Sequence, residues 1–288
     1  MGIITVDKSK CTHCGLCVKD CLTGCIGFDS DNFPLMKNPE RCISCQHCFA
    51  ICPAGAISFD GKNPKDSQSV GYDDILSLIK SRRSTRQYLD EEISDDTFEK
   101  LKEILPFVPT GCNSHSLHFS IVRKKSAMDS IRNKVQDFLV KILEQKILSP
   151  LTDKFSFYKD AILQGEDVIF RGAPHMIVAS SPINAPCANI DPVIALSYLE
   201  LYAGHLGLGT CWCGFAQAIL SFCPELCEML EIPAGYKPVY VMLLGIPKVK
   251  YLRTPQPEPC KITEITEIHK KDSCFFCKLK RLVTNFLR

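Results

Sequence analysis

Apolar residues recur at helical spacing in four stretches of the 288-residue chain and form strand-like runs in three others, all of them after residue 71. Ile75, Leu76 and Ile79 mark one face of a helix over residues 72–80, with Asp73 and Asp74 suited to its start. A second helix follows from Ser94, with Phe98, Leu101, Ile104 and Leu105 on one face and Pro106 as its stop. A turn-rich loop over 109–115 leads to the alternation of Leu117, Phe119 and Ile121, a strand. Met128, Ile131, Val135, Phe138, Leu139 and Ile142 predict a long amphipathic helix over about 126–148. Residues 150–171 show no clear period. Beyond them come a buried strand at 174–179, an apolar helix at 194–206, a glycine-rich segment over 204–214 and a buried strand at 239–244. Strands mixed with helices predict an α+β domain over residues 72–259.

Residues 1–60 follow a different rule. Cys11, Cys14, Cys17 and Cys21 have the spacing Cys-x2-Cys-x2-Cys-x3-Cys, and Cys42, Cys45, Cys48 and Cys52 repeat it 31 residues later. After each fourth cysteine comes a glycine and a short apolar segment, Ile26 to Phe28 and Ile57 to Phe59, which predicts two similar halves about a pseudo-twofold axis. Three cysteines at i, i+3 and i+6 can hold three irons of one cubane. Zinc takes four ligands and leaves the third cysteine of each run unexplained. Residues 5–60 thus resemble a two-cluster bacterial ferredoxin. In that pattern the fourth cysteine of each run serves the other cluster, which implies two 4Fe-4S clusters, one on Cys11, Cys14, Cys17 and Cys52 and the other on Cys42, Cys45, Cys48 and Cys21. Leu22 stands where the first run would usually have proline, a departure in backbone shape and not in ligation. Cys25 aligns with Ala56 and is read as packing, while His13 and His47 are read as solvent-facing loop residues. So small a module has little apolar core, so its clusters supply much of its folding energy. Residues 61–71 are polar, aperiodic and contain Gly, Pro and Ser, a linker.

Composition narrows the class. Hydrophobic residues make up 45% and charged residues 23%, as in an ordinary globular protein, and a net charge of +2 gives no reason to expect nucleic acid. No signal peptide, myristoylation pattern or bilayer-length apolar run is apparent, so the chain is expected to be soluble and cytoplasmic, with no membrane partner. Eighteen cysteines in a long chain without a secretory signal point to a reducing compartment.

Arg82, Arg83, Ser84, Thr85 and Arg86 place three forked donors and two hydroxyls within five residues. That is either an anion site or a solvated basic helix end favoured by the helix dipole. The glycines over 204–214 are not a dinucleotide fingerprint, because their order is wrong and no βαβ unit surrounds them. Cys112, Cys187, Cys211, Cys213, Cys223 and Cys227 are read as small packing residues.

The order of Arg82-Arg83-Ser84-x-Arg86, Pro109-Thr110-Gly111-x-Asn113, Gly207-Leu208-Gly209-Thr210-x-Trp212-x-Gly214, Leu244-Gly245-Ile246-Pro247 and Arg253 resembles the nitroreductase family of FMN-dependent oxidoreductases over residues 72–258. The whole chain is similar to ferredoxin–nitroreductase fusions. The resemblance implies a central mixed sheet flanked by helices, an intertwined homodimer, and FMN at its interface. It implies that Arg82, Arg83 and Ser84 hold the FMN phosphate and ribityl chain, that Arg86 reaches the pyrimidine edge, and that Asn113 bonds the ring. It further implies that Cys213 and Gly214 lie near flavin N5 and that Arg253 reaches the phosphate. Asn113-Ser114-His115-Ser116-Leu117 departs from the family's usual Asn-x-Gln-Pro-Trp, which leaves His115 without an assigned role. No side-chain acid–base pair is required, because a flavin carries the chemistry. The implied electron donor is a ferredoxin, a ferredoxin-linked reductase or NAD(P)H, and the implied acceptor a nitroaromatic, quinone or flavin. An electron carrier that docks a partner enzyme, and a reductive dehalogenase or ene-reductase on the same fold, are the alternatives. Residues 260–288, with Cys260, Cys274 and Cys277, form a basic tail read as a docking helix.

Overall fold

The eight cysteines and the apolar runs belong to two structural modules. The structure, a computed structural model, describes residues 3–66, 75–145 and 155–267. In the first module β1 (Ile4–Val6) pairs antiparallel with β4 (Ile57–Phe59), so first and last strands close it, while β2 (Ile26–Phe28) pairs antiparallel with β3 (Pro34–Met36). Two short helices, α1 (Leu16–Lys19) and α2 (His47–Ile51), carry the third cysteine of each run. Gly24 and Gly55, equivalent in the repeat, both have φ 59, a left-handed turn that glycine adopts without strain. Ile4, Phe49, Ile51, Ile57 and Phe59 form the core, joined from far along the chain by Tyr251.

The second module is built on a four-stranded sheet. It contains α3 (Ile75–Ser81), α4 (Asp95–Lys102), β5 (His118–Val122), α5 (Lys125–Gln145), α6 (Lys159–Leu163), β6 (His175–Pro182), α7 (Asp191–His205), β7 (Gly209–Trp212), α8 (Gly214–Leu220), α9 (Pro224–Met229) and β8 (Tyr236–Gly245). Sheet order is β5-β6-β8-β7, and each neighbouring pair is antiparallel. The expected mixed character is carried, among the described residues, by one parallel bridge between Ser84 and Thr210.

Both faces of the sheet are covered, which explains why its central strands read as unbroken apolar runs. Met176 and Val178 of β6 and Val241 and Leu243 of β8 point to one core, with α5, α8 and α9. The alternating Ile177, Ala179, Met242 and Leu244 point to the other, against α4 and α7. Ser94 caps α4, its hydroxyl accepting from Thr97 N–H at 3.2 Å. α7 begins earlier than its apolar run suggests, because Pro192 suits a first turn. β7 was not expected as a strand: Gly209, Thr210, Cys211 and Trp212 pair with Gly245 to Met242 of β8 within the segment read as glycine-rich.

The chain divides into a compact unit through Gln256 and a second unit from Pro257. Residues 257–267 of the second unit have no helix or strand, and Cys260 there is exposed. Cys274, Cys277, Asp73 and Asp74 lie outside the described residues, as do residues 268–288 of the predicted docking helix and residues 67–71 of the linker. No described helix is long and apolar enough to cross a membrane.

Candidate active site

Two small hollows lie within the first module. Cys11, Cys14, Cys17 and Cys52 line one, and Cys21, Cys42, Cys45 and Cys48 line the other. Among the described residues no three His, Cys, Asp or Glu side chains converge on a single-ion site. The cysteines instead surround space, as the corners of a cubane require. Burial pushes the Cys17 thiol up to about 12 and raises that of Cys48, so binding iron there must also displace protons. Cys25 is buried with its Sγ 3.4 Å from that of Cys21 and faces the second hollow.

His47 departs from its expectation as a solvent-facing loop residue. It is 5% exposed, and its Nε2 donates to the carbonyl of Ser84 at 3.2 Å. Burial, then the charge of Arg86, lowers its pKa to about 4, so the ring is neutral. His13 is exposed, with Nδ1 2.9 Å from the Asn32 carbonyl.

The segment from Arg82 to Arg86 leaves the end of α3 and runs beside β7, fixed by Thr85 N–H donating to Thr210 O at 2.7 Å. Two cavities flank it. One, of about 490 Å³, is lined by Ser84, Arg86, Arg171, Cys213 and Gly214, with Leu22 from the first module. The other, of about 430 Å³, is lined by Arg82, Arg83, Glu200, Lys248 and Lys250. Asn113 and Arg253 line neither. Asn113 sits in an exposed turn, its Oδ1 2.8 Å from His115 Nε2. Arg253 differs from its expected place at a phosphate: its guanidinium donates to the carbonyl of Cys52 and lies against Gly55. Lys248 and Lys250, upstream on the same segment, bring positive charge to the second cavity instead.

Electrostatics favour an anion in both cavities. Burial, then Arg82, lowers the Arg83 pKa to about 10. Arg83 caps the end of α3 by donating to the carbonyls of Lys80 and Arg82, yet its Nε is buried without a partner, as is Nη1 of Arg86. The helix-end reading accounts for the first set of bonds and the anion reading for the orphaned nitrogens. Glu200, which sequence reasoning missed, organises the rest. Its buried carboxylate accepts from Arg82 Nη1 at 3.2 Å, Thr210 Oγ1 at 3.3 Å and Trp212 Nε1 at 2.9 Å. An acid within the apolar run of α7 was the available signal. Asp20 of the first module is also buried. It accepts from Gln87 Nε2 and the Tyr251 hydroxyl, each at 3.2 Å, and its pKa is raised by burial.

Residues 79–246, well over half of the chain, match the family model described as the Nitroreductase family. The chain belongs to that family. This nitroreductase-family oxidoreductase carries a further domain at its front end, where residues 10–56 match a 4Fe-4S dicluster domain. A protein of Archaeoglobus fulgidus named for NADH dehydrogenase and NAD(P)H nitroreductase is 25% identical over 179 residues, 61% of this chain and 87% of its own length. Among solved structures, a Bacteroides fragilis nitroreductase with bound FMN superposes with a TM-score of 0.54 at 20% identity, covering 68% of this chain and all of that one. A Desulfitobacterium hafniense nitroreductase with bound FMN gives 0.53 at 23% identity, covering 66% of this chain and 97% of that one. These likenesses show the fold.

Proposed function

We propose that the chain takes single electrons at its two 4Fe-4S clusters and delivers them in pairs, through FMN, to a small organic acceptor such as a nitroaromatic, quinone or flavin. One observation carries the route. Leu22, next to Cys21, lines both the hollow of Cys21, Cys42, Cys45 and Cys48 and the 490 Å³ cavity. His47, between two ligands of the same hollow, hydrogen-bonds Ser84 in the cavity wall. The Cys21/Cys42/Cys45/Cys48 cluster is therefore the exit toward the cavity. The Cys11/Cys14/Cys17/Cys52 cluster is the entry, and Cys14 there is exposed to a donor.

Arg82 and Arg83 would hold the FMN phosphate, with Lys248 and Lys250 in place of Arg253. Ser84 and Arg86 would hold the ring side, facing the backbone of Cys213 and Gly214. The orphaned nitrogens of Arg83 and Arg86 fit this group. FMN supplies the conversion of one-electron input into two-electron output. With a nitroaromatic, two electrons and two protons give the nitroso compound and water. The exposed Ile75, Leu76 and Ile79 of α3 support burial of that face in a homodimer.

Anaerobic stopped-flow of the FMN-loaded protein with reduced ferredoxin tests the route. Flavin bleaching should slow at least a hundredfold in Cys42→Ser at unchanged FMN content. Equal rates in the two proteins would sink the proposal.

A further inference from the structure

Arg171 has no part in the assignments above, yet it lines the 490 Å³ cavity together with Ser84 and Arg86. Its φ of 54 lies in the left-handed region that side-chain-bearing residues seldom adopt. The turn is held in place by Asp167. Its Oδ1 accepts from Phe170 N–H at 2.7 Å, and its Oδ2 accepts from Gly172 N–H at 2.9 Å and from Arg132 Nε at 3.0 Å. Among the described residues the Arg171 guanidinium makes no hydrogen bond, and its charge acts through space on the Asp20 carboxylate. A strained arginine, its turn braced by a carboxylate and its guanidinium without a hydrogen bond at a cavity wall, fits a residue placed for a ligand.

The charge balance agrees. Arg86 and Arg171 bring two cations to this cavity, and the Asp20 carboxylate, which feels both, offsets one of them. The remaining walls, Ile169, Trp212, Phe215 and Leu243, are apolar or aromatic. We propose that Arg171 recognises the acceptor, and that the acceptor is a planar aromatic molecule carrying a carboxylate. A neutral acceptor would leave one positive charge in excess, whereas an aromatic carboxylate satisfies Arg171 with its anion and the walls with its ring. This inference rests on the assignment of the cavity to FMN and its acceptor.

The test uses the oxidised, FMN-loaded full chain and two redox-inert probes, benzoate and benzamide, titrated by calorimetry and by the shift of the flavin absorption band. Benzoate should bind at least tenfold more tightly than benzamide, and the gap should narrow with salt. Arg171→Gln should erase the preference while FMN affinity stays within twofold. Arg171→Gly, which suits the left-handed backbone, should do the same in a protein at least as stable as the wild type. Equal binding of the two probes, or a preference that survives both variants, would overturn the proposal. So would loss of FMN from both variants, which would move Arg171 to the cofactor. A wild-type chain that takes up no FMN would instead overturn the underlying function, and this proposal with it.

Discussion

Gly209 opens β7 directly beside Thr85, and replacing it by alanine is the sharpest available probe of how the fold holds the Arg82–Arg86 segment. A Cβ at position 209 would meet three atoms of Thr85: Oγ1 at 2.5 Å, Cγ2 at 2.7 Å and Cβ at 2.8 Å. Rotating the Thr85 side chain relieves the first two contacts but not the third, since Cβ is fixed to the backbone. Thr85 is buried, and its N–H is held on Thr210 O at 2.7 Å, so the segment and the strand must separate by several tenths of an ångström. Overpacking of this kind costs about 1–3 kcal/mol, and stretching the Thr85 hydrogen bond adds about 1 kcal/mol. Gly209→Ala should therefore destabilise the FMN-free protein by about 2–4 kcal/mol in urea unfolding, followed by the fluorescence of Trp212, the chain's one tryptophan. FMN affinity should fall at least tenfold, because Ser84 and Arg86 move with Thr85. Thr85→Ala removes two of the three clashing atoms and Thr85→Gly all three, so the cost of Gly209→Ala should shrink in that order. Costs that add within about 0.5 kcal/mol in both double mutants would refute the reasoning.

Arg86→Gln should weaken FMN binding roughly 10–150-fold, the value of a charge-assisted bond, with iron content unchanged; fluorescence of released FMN and an iron assay measure both. Stability should also fall in mild acid through His175, whose Nε2 accepts from Ile93 N–H at 2.9 Å and whose pKa is lowered by burial. The unfolded histidine binds its proton first, so this contribution is complete above about pH 6.5 and is lost as pH falls below it, by at most about 1.4 kcal/mol per pH unit. His175→Leu should abolish that slope in urea unfolding at pH 7.5 and 5.5, while leaving the Ile93 N–H unpaired at a cost of about 1–3 kcal/mol. Anaerobic removal of iron should expose the first module to protease between residues 11 and 52 while the four-stranded sheet stays protected, as limited proteolysis with mass spectrometry would show.

Much of this architecture is legible in the chain because it rests on local pattern. Ser94 announces α4, and the runs at 174–179 and 239–244 announce strands covered on both faces. The cysteine spacing announces two hollows, and the structure places the fourth cysteine of each run beside the other run's three. Four residues of mixed character hid β7, since they fall inside the glycine-rich segment over 204–214 and show no apolar alternation. The site was harder to read, because two of its couplings join residues more than a hundred positions apart. Arg82 meets Glu200, and Arg253 meets Cys52 where family resemblance implied a phosphate. His47 looked like a loop residue because nothing local reveals that Ser84 covers it. Arg171 carries no sequence signal, for its strain exists only once Asp167 has closed the turn around it.

The segment after β8 also ties the beginning of the chain to its far end. Tyr251 enters the core of the first module, Leu252 N–H bonds Ala50 O at 3.2 Å, and Gln256 and Gln46 exchange bonds of 2.8 and 3.0 Å. The first module therefore leaves the ribosome without part of its own core. At about 5–20 residues per second, some 10–40 seconds separate synthesis of β4 from that of Gln256. During that interval the first module lacks the cover that Val249, Tyr251 and Leu252 later supply. Arrival of residues 249–256 then adds that cover, so the completed module is sealed only on a chain that already carries its catalytic domain.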